Sequence, residues 1–467
     1  MKRKGLTILA AAAVLSMGVM TISAYAAEGW AMQNNSWVYL DKNGNKVKDE
    51  WKKGADNLWR YLNSKGEMAI STWADEEYYV DSNGIMVTNK WVKTTPKWND
   101  NEAAVWYYFG SSGKMVEDGW KKIDGKSYLF DNDGVMQTGW SDDGLYYLGD
   151  DGAMKTGWKY LEPEEGYEEN NYREESADGK YWYYFASNGK KYCTETGDGE
   201  GEYRISRING DYYCFDEDGK MQTGWVYLLG DPERAPGGSI ANWRYFAEPE
   251  ITNLTTGASV QGWLSLIPPE ELSDDVNEPV VWYYFEKDGT PKAGPEFGDA
   301  STDDFVRISG KSYLFDPKGN PVSGLHKVEI GSTNEYTSYY FDEDSKVAIK
   351  GKETIEEGDG TVSTFYFNEG SYAGRGVTGV KDGYLYYMGK RQEANEDMKY
   401  EAITIESGKT YVVNKNGKIV KGKTVKDSDK TEYTVNDSGL LTHVDDEPIG
   451  RTEFNDPIEP EFVEWDW

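Results

Sequence analysis

The stretch GWKKIDGKSYLFDNDGVMQTGW, from Gly119 to Trp140, decides how the chain folds. It opens on Gly-Trp, turns at Asp124-Gly125, runs through Tyr128-Leu129-Phe130, and closes through Asp131, Gly134 and Met136 on a second Gly-Trp. The following stretch, GWSDDGLYYLGDDGAMKTGW from Gly139 to Trp158, repeats the plan. Aromatic and β-branched runs favour strands, and the short Asp-Gly turn before such a run reads as a hairpin loop. Asp131-Asn132-Asp133-Gly134 reads as the reversal into the next unit. One unit is therefore a β-hairpin with a connecting loop. A lone hairpin is marginal in water, so its aromatic face must be buried on its neighbours. The sequence thus predicts an all-β fold, a solenoid of stacked hairpins of about twenty residues each, with a core of Trp, Tyr and Met.

Outward from this stretch, equivalent tryptophans stand at Trp30, Trp51, Trp73, Trp91, Trp120, Trp140 and Trp158, and the array runs from Gly29 to about Leu441. Trp-Tyr-Tyr-Phe recurs at 106–109 and 282–285. Four units carry long insertions, at 92–105, 159–181, 226–242 and 264–281. All fall at hairpin tips, where added length costs little; they read as loop growth or as a second surface for a protein partner. Between Trp282 and Trp465 there is no Trp. Gly324-Leu325, Gly351-Lys352, Gly379-Val380 and Gly422-Lys423 replace Gly-Trp, while Tyr313-Leu314-Phe315 and Tyr411-Val412-Val413 keep the strand. The expected organisation is a signal peptide at 1–26, Trp-rich repeats at 27–294, degenerate Trp-poor repeats at 295–446 and an acidic tail at 447–467.

Composition narrows the function. The chain has 467 residues and a net charge of −32, with aromatics at 15% out of only 38% hydrophobics. That balance, with 52 Gly and 36 Tyr, suits neither a helical bundle nor a doubly wound α/β enzyme, and disordered acidic chains lack such aromatics. So acidic a body repels phosphate backbones, which argues against nucleic-acid binding. Two His and two Cys supply neither a zinc site nor a His-based triad, and no metal or cofactor is expected. Whether Cys193 and Cys214 form a disulfide after export is left open by their spacing. The Asp/Asn-Gly turns at 81–84, 131–134 and 216–219 lack the alternating carboxylates and the Glu at position twelve of a calcium loop. No catalytic carboxylate pair and no non-repetitive block of catalytic-domain size stands out, so the chain is not expected to be an enzyme.

The N-terminus reads as an export signal. Lys2-Arg3-Lys4 precede an apolar run from Leu6 to Ile22, and Ala24-Tyr25-Ala26 fits a cleavage site, so the mature chain is expected to begin at Ala27 with no later membrane span. The expected location is secreted, associated with a cell wall or cell surface.

The compound pattern Gly-Trp … Trp-Tyr-Tyr-Phe-x-x-x-Gly-x-Met-x-x-Gly-Trp resembles the choline-binding and glucan-binding cell-wall repeats of Gram-positive surface proteins. The resemblance implies a superhelical hairpin stack with ligand sites between units. In choline binders, a teichoic-acid choline sits in a cage of the Gly-Trp Trp, the first Trp of the Tyr-rich strand, the next unit's aromatic and a nearby Met. Carried over, Trp51, Trp59, Met68 and Trp73 supply one cage, and Trp91, Trp106, Met115 and Trp120 a second. Trp30, Trp37 and Trp51 supply the rings of a third, with Val47 at the Met position. Ser127 and Leu145 replace the inner Trp in two units, and Glu77-Tyr78-Tyr79 lacks it in another. Trp158/Trp182, Trp225/Trp243 and Trp263/Trp282 keep both Trp residues without an aligned Met.

A cation over one aromatic face gains about 0.5–1 kcal/mol when exposed and about 2 when desolvated. A single cage is therefore weak, on the order of millimolar. Several on one chain facing a polymer raise avidity by roughly 10²–10⁴, and an acidic body concentrates cations nearby. The expected partner is a cell-wall polymer, a choline-bearing teichoic acid or a glucan, since the same faces also stack on sugar rings; the cages containing Met favour choline. A wall hydrolase using these repeats for targeting is the third class, and it needs a separate catalytic domain.

Overall fold

The computed structural model describes residues 28–98, 102–164, 178–194, 203–229, 239–251, 253–272, 280–296, 298–405, 408–450 and 454–465. The signal peptide expected at 1–26 lies outside them. Among the described residues the structure is all-β, antiparallel hairpins following one another along the chain, with two short 3₁₀ turns at Glu270–Leu272 and Thr302–Asp304. The chain divides into two compact units, one up to Tyr192 and one from Cys193 onward.

The strand period explains how the hairpins pack. In the hairpin of Lys90–Thr94 with Val105–Phe109, Trp91 faces Tyr108 and Lys93 faces Trp106. Alternation places these four side chains on one face and sends Tyr107 and Phe109 to the other, where both are fully buried. The next hairpin, Gly119–Ile123 with Lys126–Phe130, repeats this arrangement, and its Tyr128 and Phe130 lie against Trp91 at 4.8 and 5.7 Å. The Gly-Trp face of one hairpin therefore packs on the Tyr/Phe face of its successor, as Trp73 does on Tyr107 and Phe109 and Trp140 on Tyr183 and Phe185.

The acidic turns are structural. The Asp131 carboxylate accepts from the Asp133 and Val135 amides at 3.0 and 2.8 Å and from the Gln137 side chain at 3.0 Å. At Gly134, with φ +79°, a Cβ would stand 2.4 Å from the Met115 sulfur. Glycine is thus required twice over, by the left-handed backbone and by the methionine of the preceding unit beneath it.

In the second unit, the change from Trp-rich to Trp-poor repeats at 294/295 is not a break in packing. Trp263 lies 5.2 Å from Tyr313, and the Gly294 amide donates to the Asp316 carbonyl at 2.8 Å. Two of the long insertions contribute core: Ile240 and Leu272 are buried together with Trp243, Tyr245 and Tyr283. Aliphatics and Phe take over the later hairpins, with Leu325, Ile355, Phe365 and Phe367 in one cluster and Leu385, Ile403 and Val413 in another.

The C-terminal segment departs from the expected acidic tail. Glu447–Pro448 forms a strand in a four-stranded sheet. Residues 454–465 then run back across earlier hairpins as a strap. The Thr404 amide donates to the Asn455 carbonyl at 3.0 Å, and Gln392 exchanges two hydrogen bonds with the Ile458 main chain. Further along, the Glu461 amide donates to the buried Glu357 carboxylate, the Val463 amide donates to the Leu325 carbonyl at 2.9 Å, and Trp465 stacks on His326 at 4.1 Å. The glutamates suggest solvation, but Phe462 and Trp465 pack on the apolar clusters, and main-chain bonds fix the path.

Cys193 and Cys214 are not joined to each other; Cys214 is buried against Val226 and Phe246.

Candidate functional site

The most complete crevice is built on the Lys90–Thr94/Val105–Phe109 hairpin. Trp91 and Trp106 stand 6.4 Å apart with their rings perpendicular at 89°. Tyr128, from the following hairpin, adds a third ring 4.8 Å from Trp91. The Met136 amide, past that hairpin's reversal, donates to the Trp106 carbonyl at 2.9 Å. The two tryptophans differ in surroundings: Trp91 is held between Tyr108, Tyr128 and Phe130, whereas Trp106 lies beyond the overlap and is 41% exposed. One ring anchors the stack and the other opens to solvent.

The same plan places Trp51, Trp59, Tyr78 and Met86 together. Trp51 lies 5.4 Å from Tyr78, the Met86 amide donates to the Trp59 carbonyl at 2.9 Å, and Trp59 is 40% exposed. At the first hairpin, Trp30 packs edge-on to Tyr39 at 5.6 Å and donates its indole N–H to the Lys53 carbonyl, while Trp37 accepts from the Met68 amide at 2.7 Å. Here the strand position held by Tyr128 elsewhere is Arg60. Its buried guanidinium pairs with Asp56 at 2.6 and 2.8 Å, holding that carboxyl down at about 2.

The structure therefore groups the sequence-derived residues differently from the sequence alone. Met68 joins Trp37 rather than Trp59, and Met115 donates its amide to the Glu77 carbonyl, in the hairpin lacking an inner Trp. Trp73 packs forward on Tyr107, and Trp120 forward on Tyr146 at 4.9 Å, so each begins the crevice of its own hairpin. Tyr78, Tyr128, Met86 and Met136 were missed. Their signal was present in the residue that follows the inner position of the next unit and in the Met that closes that unit. The thioethers themselves reach the next turn glycine: a Cβ on Gly113 would lie 2.7 Å from the Met86 sulfur.

Lysines lie over the open rings. Lys53 Nζ is 4.9 Å from the Trp59 ring centroid and Lys93 Nζ is 5.9 Å from that of Trp106, each from the cross-strand position. Burial pushes the Tyr107 hydroxyl up to about 12, so that ring stays neutral at any physiological pH.

Other tryptophan pairs are less alike. Trp158 and Trp182 repeat the perpendicular corner at 6.4 Å and 84°, and Tyr160 lies beside Trp182 at 5.1 Å, its hydroxyl donating to Asp178. Trp282 is the most open, at 56% exposed, whereas Trp243 is 3% exposed, closed in by the insertions. Among the described residues no group of three or more His, Cys, Asp or Glu side chains could hold a metal, and no helix is long and apolar enough to cross a membrane.

Family models described as choline-binding repeat match residues 27–73, 118–158 and 68–95, and one described as putative cell wall binding repeat matches 105–115 and 177–191. Among curated proteins, the chain is similar to Glucosyltransferase-S of Streptococcus mutans serotype c, 27% identical over 254 residues, covering 46% of this chain and 15% of the relative. It is also similar to Glucosyltransferase-S of Streptococcus downei, 31% identical over 99 residues, covering 21% of this chain and 7% of the relative. The chain thus spans a small fraction of the length of these relatives. Solved structures with similarity include the modular autolysin LytC from Streptococcus pneumoniae, at 21% identity and TM-score 0.37 over 64% of this chain and 54% of that one. CbpJ from the same species gives 22% identity and TM-score 0.33 over 69% of this chain and 100% of that one. What these comparisons establish is confined to part of the chain: within residues 27–191 lie repeats that match those described as choline-binding repeat and putative cell wall binding repeat.

Proposed function

We propose that the chain is a secreted, non-catalytic surface protein that attaches to choline-type cations of envelope polymers through its inter-hairpin aromatic crevices. The observation that carries this reading is the Trp91–Trp106 corner, with Tyr128 as a third ring. Aromatic faces walling a corner suit a quaternary ammonium, which is attracted by the ring electrons and needs no hydrogen-bonding partner. Trp51, Trp59 and Tyr78 offer a second set, and Trp30 with Trp37 a partial third. Each crevice alone is weak; a polymer carrying many cations engages several at once. Retention of the protein on a quaternary amine resin, with elution by free choline but not by equal ionic strength of NaCl, is the expected result. Loss from the resin at equal NaCl refutes the reading.

A second reading is a glucan-binding surface protein. It is favoured by Tyr160 and Trp182, adjacent rings tilted by 39° and each 41% exposed, which together offer a broad apolar surface for a sugar ring beside the Asp178 carboxylate. Binding to a dextran column, without retention on the amine resin, would establish this alternative. A clearing band on a cell-wall zymogram would overturn the non-catalytic reading of both.

A further inference from the structure

Lys191 takes the place of a methionine. It follows the strand Tyr181–Phe185, bridges back to Phe185, and donates its amide to the Leu145 carbonyl at 2.8 Å. Met136 and Met154 make the same bond, to Trp106 and Ser127 respectively. In those hairpins the position carries an uncharged thioether. Here it carries an ammonium that lies 5.0 Å from the Trp140 ring centroid and 5.9 Å from that of Tyr183, on a residue only 8% exposed. The two rings meet edge-on at 4.9 Å, with Phe185 packed on the same Trp.

Withdrawing an ammonium from water is costly. Aromatic faces are among the few neutral groups that offset that cost. The arrangement is that of a cation site with its cation covalently supplied. We propose that the Trp140–Tyr183 crevice is an alkylammonium site filled by the chain's own Lys191 and thereby closed to external ligands. Removing the side chain converts it into a site for a free alkylammonium ion. The ammonium class is the one already assigned to the neighbouring crevices, and the inference rests on that reading only for this chemistry. Lys191 therefore sets how many sites the first unit offers to a polymer, and with Leu145 at the inner position the walls of this one are Trp140 and Tyr183.

The test counts bound ligand on the full chain, comparing wild type, Lys191→Ala and Lys191→Met, with tetramethylammonium and butylammonium chlorides as probes and NaCl as the ionic control. Lys191→Ala is expected to bind one more equivalent than wild type. Lys191→Met, which restores the thioether that Met136 supplies at the open Trp91–Trp106 crevice, is likewise expected to bind one more equivalent than wild type. Equal stoichiometry for wild type and Lys191→Ala overturns the proposal. A wild type that binds nothing, beside a Lys191→Ala variant that binds one equivalent, upholds it while removing the ammonium reading of the other crevices. Should the alanine variant not fold, the wild-type proton spectrum decides. Ring currents from Trp140 and Tyr183 must move one lysine Cε methylene signal upfield, and that signal must vanish in Lys191→Met. A spectrum without it overturns the proposal.

Discussion

Replacing Trp106 and Trp91 one at a time by alanine separates ligand binding from packing, because the two rings of one crevice have different surroundings. Trp106 is 41% exposed, so its removal opens no closed cavity, and the stability cost should stay below about 1 kcal/mol. It does remove one wall of the site. A cation–π face in a partly desolvated setting contributes about 1–2 kcal/mol, which corresponds to roughly 5- to 30-fold weaker binding at that crevice. Trp91 is packed on Tyr108, Tyr128 and Phe130. Its truncation leaves a void between two hairpins, at a cost of about 3 kcal/mol, the lower part of the range for large aromatics since the ring is half-buried. Choline titration followed by indole fluorescence, with thermal unfolding of the same samples, reads both quantities. The expected pattern is a lost or weakened site with an unchanged melting temperature for Trp106→Ala, and a clearly lowered melting temperature for Trp91→Ala. Equal destabilisation by the two variants, or unchanged choline binding in Trp106→Ala, would refute the division of roles.

Lys53→Met should tighten choline binding at the Trp51–Trp59 crevice a few-fold, since it uncovers the Trp59 face and removes a like charge; weaker binding by calorimetry would contradict this. Burial holds His326 below the usual histidine value, with Glu343 partly opposing. A histidine kept neutral in the fold stabilises it fully above about pH 6.5, and that contribution is lost as pH falls from there through the depressed folded value. Stability measured by urea should therefore decline between pH 7.5 and 5, and His326→Gln should flatten the slope. Native thiol labelling should modify the half-buried Cys193, with Cys214 reacting only after unfolding; one rapid and one protected thiol is the expected count.

The hairpin repeat was legible because two local signals agree. Alternating aromatics fix the strands, and Asp-x-x-Gly fixes the reversals, as Asp131 and Gly134 show. Which side chains meet across hairpins was less legible, because that register is set by a main-chain bond between one hairpin's inner position and the residue closing the next. A reader of the sequence pairs Met68 with the Trp59 just before it, whereas the amide of Met68 reaches back to Trp37. Lys191 escapes a motif search for the same reason, since a lysine at a methionine position looks only like a degenerate repeat. The strap was hidden for a different reason. Its Glu and Pro composition suggests a solvated tail, and what fixes it is main-chain bonding to carbonyls, to the buried Gln392 carboxamide and to the buried Glu357 carboxylate far back in the chain.

That strap has a consequence for the order in which the molecule can assemble. Links between early hairpins are short in sequence: the Trp30 indole reaches a carbonyl 23 residues on, and that of Trp73 one 22 residues on. Contacts so local close quickly and can form while the rest of the chain is still absent. The bond from Glu461 to Glu357 closes a span of 104 residues. Until it forms, the Gly358 amide and the Leu325 carbonyl, both bonded to the strap in the finished fold, must be satisfied by water. The Trp-rich hairpins should thus reach their final protection against hydrogen exchange early, while the hairpins around 324–367 acquire theirs in a later step, after the strap has been made and laid down.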